Sequence, residues 1–157
     1  MQTKSKNTSN TLIKWGLGLL ALFVPFRLLA KSQKMAKPKN SIRLKLSEYR
    51  NLIPYLEAQA RHESANYNSD LVKRANNLFG MKIAYQRKFS RSGTTGEYSK
   101  YKNYDQSIED QILWLSAKSF PRAVNGSEQF VRQLKIRNYF GAPESEYLAA
   151  INFFLRN

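Results

Sequence analysis

The chain has no cysteine and a single histidine, His62. Disulfides and thiolate metal sites are excluded, and a histidine-rich metal centre cannot be assembled. Acid is also scarce: 11 Asp and Glu stand against 26 Lys and Arg in 157 residues, a formal net charge of +15. The imbalance is uneven. Residues 1–46 hold ten Lys/Arg and no acid (+10), whereas residues 47–157 hold sixteen against eleven (+5). Such a charge favours polyanionic partners: nucleic acid, anionic lipid or an anionic cell wall. Long apolar runs are few, and no internal repeat is present. The length accommodates one domain plus an appendage.

Residues 1–11 are polar and rich in Lys, Ser, Thr and Asn, and the composition predicts a disordered basic tail. Leu12–Ala30 follows as a hydrophobic helix candidate. Its uncharged core, Trp15–Phe26, spans about 18 Å as a helix, short of a hydrocarbon core of about 30 Å. If Lys14 and Arg27 snorkel, the usable stretch approaches a span. Three readings stand: a membrane anchor, a signal peptide ending near Ala30, and an interfacial or buried helix. Arg27 and Leu28 fit a cleavage region badly, so the anchor is the favoured reading. The denser Lys/Arg after the segment would place the C-terminal part in the cytoplasm. Residues 31–46 read as a basic linker, a solvated tether able to meet anionic headgroups.

The domain is expected to occupy residues 47–157. Pro54 suits the first turn of a helix. Leu52, Leu56, Gln59 and Glu63 then share one face, and Glu63 sits at the C-terminal edge. Ser64–Ser69 reads as a turn, with Ser69 capping a second helix. Tyr85–Tyr104 predicts a small β-hairpin lobe with Gly93-Thr94-Thr95-Gly96 as its turn. Ser107–Asp110 resembles a capping box opening a helix that buries Ile108, Ile112 and Leu115. Ser127 is expected to cap the next helix and Pro143 to open the last. About five helices and one hairpin make a mainly α domain of about 110 residues with one modest core.

Glu63 is the acidic residue placed where an apolar helix gives way to polar turn residues. A carboxyl group at such an edge can have its pKa raised, as a general acid near neutral pH requires. Ala58-Gln59…His62-Glu63-Ser64 followed by Asn76-Asn77-Leu78-Phe79-Gly80-Met81-Lys82 resembles the glucosaminidase family of peptidoglycan hydrolases (glycoside hydrolase family 73). Thr95-Gly96-Glu97-Tyr98, Tyr101–Asp110, Tyr139-Phe140 and Tyr147 follow in matching order, so the resemblance covers roughly residues 52 to 155. It implies a lysozyme-like helical fold with a β-hairpin lobe and hydrolysis of a glycan strand. Neither metal nor organic cofactor is implied. The chain departs from the family at Ala65, where glycine is usual, and in a shortened helix upstream; a reduced, phage-type domain would account for the latter. If the turn needs positive φ, Ala65 is strained.

Glycoside hydrolysis commonly uses two carboxyl groups. The resemblance puts Glu63 at the acid position and makes Glu97, on the mobile lobe, the candidate second carboxylate; the substrate's acetamido group is the alternative. Asp105, Glu109 and Asp110 lie nearby, Asp110 better explained as a helix cap. Asn77, Phe79, Tyr98, Tyr139 and Tyr147 are the candidate substrate-binding residues, since sugar C–H faces pack on aromatic rings and phenols hydrogen-bond sugar hydroxyls. His62, adjacent to Glu63 on a helix, is expected to point away from it. The reading is thus a membrane-associated endo-β-N-acetylglucosaminidase facing the cell wall, which conflicts with the charge-based topology. A lytic transglycosylase is the enzymatic rival. A basic membrane- or nucleic-acid-binding structural protein, such as a virion component, is the rival from another class.

Overall fold

The computed structural model describes residues 38–157; the expected tail and hydrophobic helix, including Leu12–Ala30, lie outside the described residues. Within them the chain folds into six α-helices, a short 3-10 helix and one two-stranded sheet. The helices are α1 (Pro38–Lys45), α2 (Ile53–Glu63), α3 (Asp70–Ala75), α4 (Tyr104–Ala117), α5 (Ser127–Lys135) and α6 (Glu144–Arg156). The 3-10 turn, Ser47–Leu52, joins α1 to α2. The strands are β1 (Gly93–Thr95) and β2 (Tyr98–Lys100). Among the described residues no helix is long and apolar enough to cross a membrane.

Of the basic tether expected over residues 31–46, residues 31–37 lie outside the described residues, and Pro38–Lys45 is α1 instead. Ile42 and Leu46, one turn apart, are fully buried, and Tyr49, Leu52 and Leu56 continue the same apolar series into α2. The cations of α1 meet acids of the domain: Arg43 Nε donates to Glu57 Oε1 at 2.6 Å and Lys45 Nζ to Glu109 Oε1 at 2.7 Å. High charge density hid an ordinary amphipathic helix whose counter-ions come from distant sequence.

Helix α2 packs against α6, α1 against α4, and α5 against α6. Ile108, Leu115, Phe130, Val131, Leu134 and Ile151 close the core between them. Pro54 occupies the first turn of α2, where its missing N–H is harmless. Ser69 caps α3 by accepting from Val72 N–H.

Three local expectations are corrected. Helix α4 starts earlier, capped by Asn103, whose side chain accepts from Gln106 N–H. Ser107 and Asp110 are therefore interior to α4 and fully buried. Ser107 Oγ accepts from Leu78 N–H at 3.1 Å, and Asp110 receives Arg87 and the Tyr101 hydroxyl. Gly126, not Ser127, stands at the cap position of α5. In the hairpin, Gly93–Thr95 is a strand and the turn is the pair Gly96-Glu97, with Gly96 at φ +56°. That two-residue turn fixes the register at Thr95 opposite Tyr98.

Candidate active site

Glu63 is the last residue of α2. Its carboxyl lies between two neighbours. The Tyr147 hydroxyl, from α6, donates to Oε1 at 2.6 Å. Gly80 stands on the other side, so close that a Cβ built there would lie 2.9 Å from Oε2. Gly80 adopts φ +61°, a left-handed conformation natural to glycine. Burial of Glu63 raises its carboxyl pKa, and the Tyr147 hydrogen bond opposes that rise only in part. The carboxyl is thus biased toward the protonated form.

Tyr147 is held from both sides. Phe140 stacks on its ring at 3.9 Å between centroids with 4° between planes. His62 meets it edge-on at 4.8 Å, and burial lowers the imidazole pKa, favouring the neutral ring. His62 and Glu63 therefore converge on one tyrosine, the first through its ring and the second through its hydroxyl. Tyr139 donates to the Phe79 carbonyl at 2.5 Å and packs edge-on against Trp114 at 4.8 Å.

Glu63, Gly80, Tyr139 and Phe140 line a cleft of about 470 Å³, within the range of about 300–1,000 Å³ typical of small-ligand sites. Glu63, Phe79, Tyr98 and Tyr139 are on its wall, with Gly80, Lys82, Arg87, Trp114 and Phe140 among the others. Of the candidate binding residues, Tyr147 is not on this wall but behind the Glu63 carboxyl, and neither is Asn77. Asn77 is fully buried: its amide donates to the Met81 and Ser99 carbonyls, and its carbonyl oxygen accepts from Met81 N–H. Asn77 closes the Phe79–Gly80 turn and ties it to β2, which makes it a structural residue. Tyr101 is likewise core, its hydroxyl on Asp110.

Glu97 occupies the hairpin turn and is solvent-exposed. Lys82 Nζ donates to its Oε2 at 2.8 Å, and this pairing lowers the Glu97 pKa. Its neighbours Lys82 and Tyr98 line the cleft, but Glu97 does not. Glu63 is therefore the one carboxylate on the cleft wall among the described residues. The two acids have opposite environments, one desolvated and one ion-paired.

Arg87, Trp114 and Phe140 line the cleft without being among the candidate site residues of the sequence. Arg87 is the most informative: its guanidinium makes a two-point pair with Asp110, Nη1 to Oδ1 at 2.6 Å and Nη2 to Oδ2 at 3.2 Å. This fixes the cleft-wall loop to α4. Nothing in the local sequence marks a pair 23 residues apart. Phe140, adjoining Tyr139, was the most accessible of the three, because an aromatic doublet can supply one ring to each of two sites.

A left-handed turn ends α2. Ala65, Asn66 and Tyr67 have φ of +49°, +54° and +68°. Asn66 N–H reaches back to the Arg61 carbonyl, and Ser69 N–H to that of Ser64. The position where glycine is usual in the family is thus a true positive-φ site carrying alanine.

Among known proteins, no curated sequence and no solved structure matches the chain. A family model does: glucosaminidase, described as mannosyl-glycoprotein endo-beta-N-acetylglucosaminidase, matches residues 40–155. That span begins in α1 and ends in the last turn of α6, so it takes in nearly the whole described domain. The chain belongs to the glucosaminidase family and is a glycoside hydrolase of the endo-β-N-acetylglucosaminidase type.

Proposed function

We propose that the enzyme cuts the glycan strand of peptidoglycan at N-acetylglucosaminyl bonds, with Glu63 as general acid. The observation that carries this reading is the Glu63 carboxyl itself: in the cleft, desolvated, with its pKa raised. Tyr147 donates to one oxygen, so the acid proton resides on the other, Oε2, which faces Gly80. A Cβ at position 80 would fill that approach. Its absence leaves room for a glycosidic oxygen to reach the proton. As the bond to the leaving group breaks, Glu63 gives up its proton and Tyr147 stabilises the resulting carboxylate.

Glu97 or the substrate acetamido group completes the reaction. The ion pair with Lys82 keeps Glu97 ionised, which suits a base or nucleophile. A second reading has a specific observation in its favour. Because Glu63 is the one carboxylate on the described cleft wall, a lytic transglycosylase needing a single acid fits the same geometry. Membrane association through Leu12–Ala30, with the catalytic domain facing the wall, completes the proposal; flotation of the full chain with lipid vesicles tests it.

The deciding experiment incubates the protein with purified peptidoglycan, reduces released fragments with borohydride and weighs them. Reducible N-acetylglucosamine ends, absent with Glu63→Gln, are expected. 1,6-Anhydromuramyl ends would establish the transglycosylase instead. Full activity of a folded Glu63→Gln protein would remove Glu63 from the mechanism.

A further inference from the structure

A neighbouring hollow adjoins the cleft at Arg87. This second hollow of about 430 Å³ shares Ala84, Arg87 and Trp114 with the cleft and adds Tyr85, Gln86 and Lys118. Tyr85 is the most exposed large hydrophobic residue among those described, 83% accessible. Single exposed aromatic residues are ordinary on protein surfaces, so exposure alone carries nothing. Two further observations give it meaning.

The first is that the loop bearing Tyr85 is pinned on both sides. Ile83 N–H donates to the Glu97 carbonyl at 3.0 Å. Arg91 Nη1 donates to the Ala84 carbonyl at 2.8 Å, and Ser90 Oγ to the Gln106 carbonyl at 2.6 Å. The Arg87–Asp110 pair locks the middle of the loop to α4. An exposed ring on a fixed backbone gives up little freedom when a ligand covers it.

The second is the chemistry of the hollow. The tyrosine ring offers a flat apolar face of the size a pyranose C–H face covers. Gln86 and Lys118 add amide and ammonium donors at its rim. Ala84, Arg87 and Trp114 belong to both hollows, so the second adjoins the cleft and lies within reach of a chain that extends beyond it.

We infer that this hollow is a further saccharide subsite, with Tyr85 as its stacking platform, so that the enzyme grips an extended glycan beyond the sugars flanking the cleaved bond. The inference rests on the glycan-cleaving reading above.

The test uses the full chain carrying Glu63→Gln, so that ligand survives, and titrates it calorimetrically with alternating N-acetylglucosamine–N-acetylmuramic acid oligosaccharides of increasing length. Affinity is expected to step up once the oligomer is long enough to reach Tyr85. Adding Tyr85→Ala should erase that step, weakening the longer ligands about 2- to 12-fold while the shortest binds both forms alike. Tyr85→Trp should restore the step. Equal weakening at every length, or none, overturns the inference. If no oligomer binds and the native enzyme releases no wall fragments, the glycan reading falls and takes the inference with it. Fragment release without any length-dependent step sinks the inference alone.

Discussion

Replacing Gly80 by alanine probes the site more sharply than removing the acid itself. Two costs arise. The backbone at φ +61° becomes unfavourable by about 1–2 kcal/mol for a residue with a Cβ. The new methyl would also lie 2.9 Å from Glu63 Oε2, where ordinary contact begins at 3.4 Å, a shortfall of 0.5 Å. The carboxyl has to yield, but its other oxygen is held by Tyr147 at 2.6 Å. Yielding therefore lengthens that hydrogen bond and turns the acid away from the cleft. A displacement of this order lowers kcat by about 10- to 100-fold. Gly96→Ala supplies the comparison. Gly96 has nearly the same φ, +56°, and no atom within 4 Å of its built Cβ. It should share the stability loss, seen as a melting-point drop of several degrees by circular dichroism, and retain activity. Fragment release from purified wall, scaled to the folded fraction, reads the difference. If Gly80→Ala loses no more activity than Gly96→Ala, Glu63 does not work from the position described.

Other perturbations have definite signs. Ala65→Gly, at φ +49°, should raise stability by about 1 kcal/mol in a denaturant titration, since glycine removes the left-handed penalty. Asp110→Ala should cost about 3–5 kcal/mol, because it strands the Arg87 guanidinium, itself 13% exposed, beside a buried Tyr101 hydroxyl; an unchanged midpoint would mean the pair is dispensable. Tyr147→Phe removes the hydrogen bond that holds the Glu63 pKa down. The alkaline limb of the pH–rate profile should move to higher pH as kcat falls. Glu63→Gln should be relatively more stable than the native chain as pH rises. The native acid has a folded pKa above its unfolded one, so its stabilising contribution is present below the unfolded pKa and is lost as pH passes through the folded one. Melting curves from acid to neutral pH read the gap.

Much of this architecture is legible in periodicity. Leu52, Leu56 and Gln59 share a buried face, Pro54 opens α2, Ser69 caps α3, and Glu63 ends its helix as the spacing predicts. What failed did so for want of long-range partners. Ser107 and Asp110 look like a cap because residues of those types usually are; their roles come from Leu78 and Arg87, which no local pattern ties to them. Asn77 sits inside the motif that carries the resemblance and its residue type suits a ligand contact, yet its amide is spent on closing a turn. Residues 38–45 read as tether because their cations were counted without the glutamates that neutralise them. Of the two acids, Glu63 was placed by its helix edge. The distance between Glu97 and the cleft wall depended on a hairpin register that the sequence left a few residues out.

The left-handed turn at Ala65–Tyr67 has an electrical consequence. By reversing the chain immediately after Glu63, it ends α2 at the residue that carries the acid. That end of a helix carries partial negative charge. It resists a second negative charge on Glu63 in the same sense as burial does. A strained turn at a non-glycine residue thus keeps the helix from running on and presents its cathodic end to the group whose proton the reaction spends.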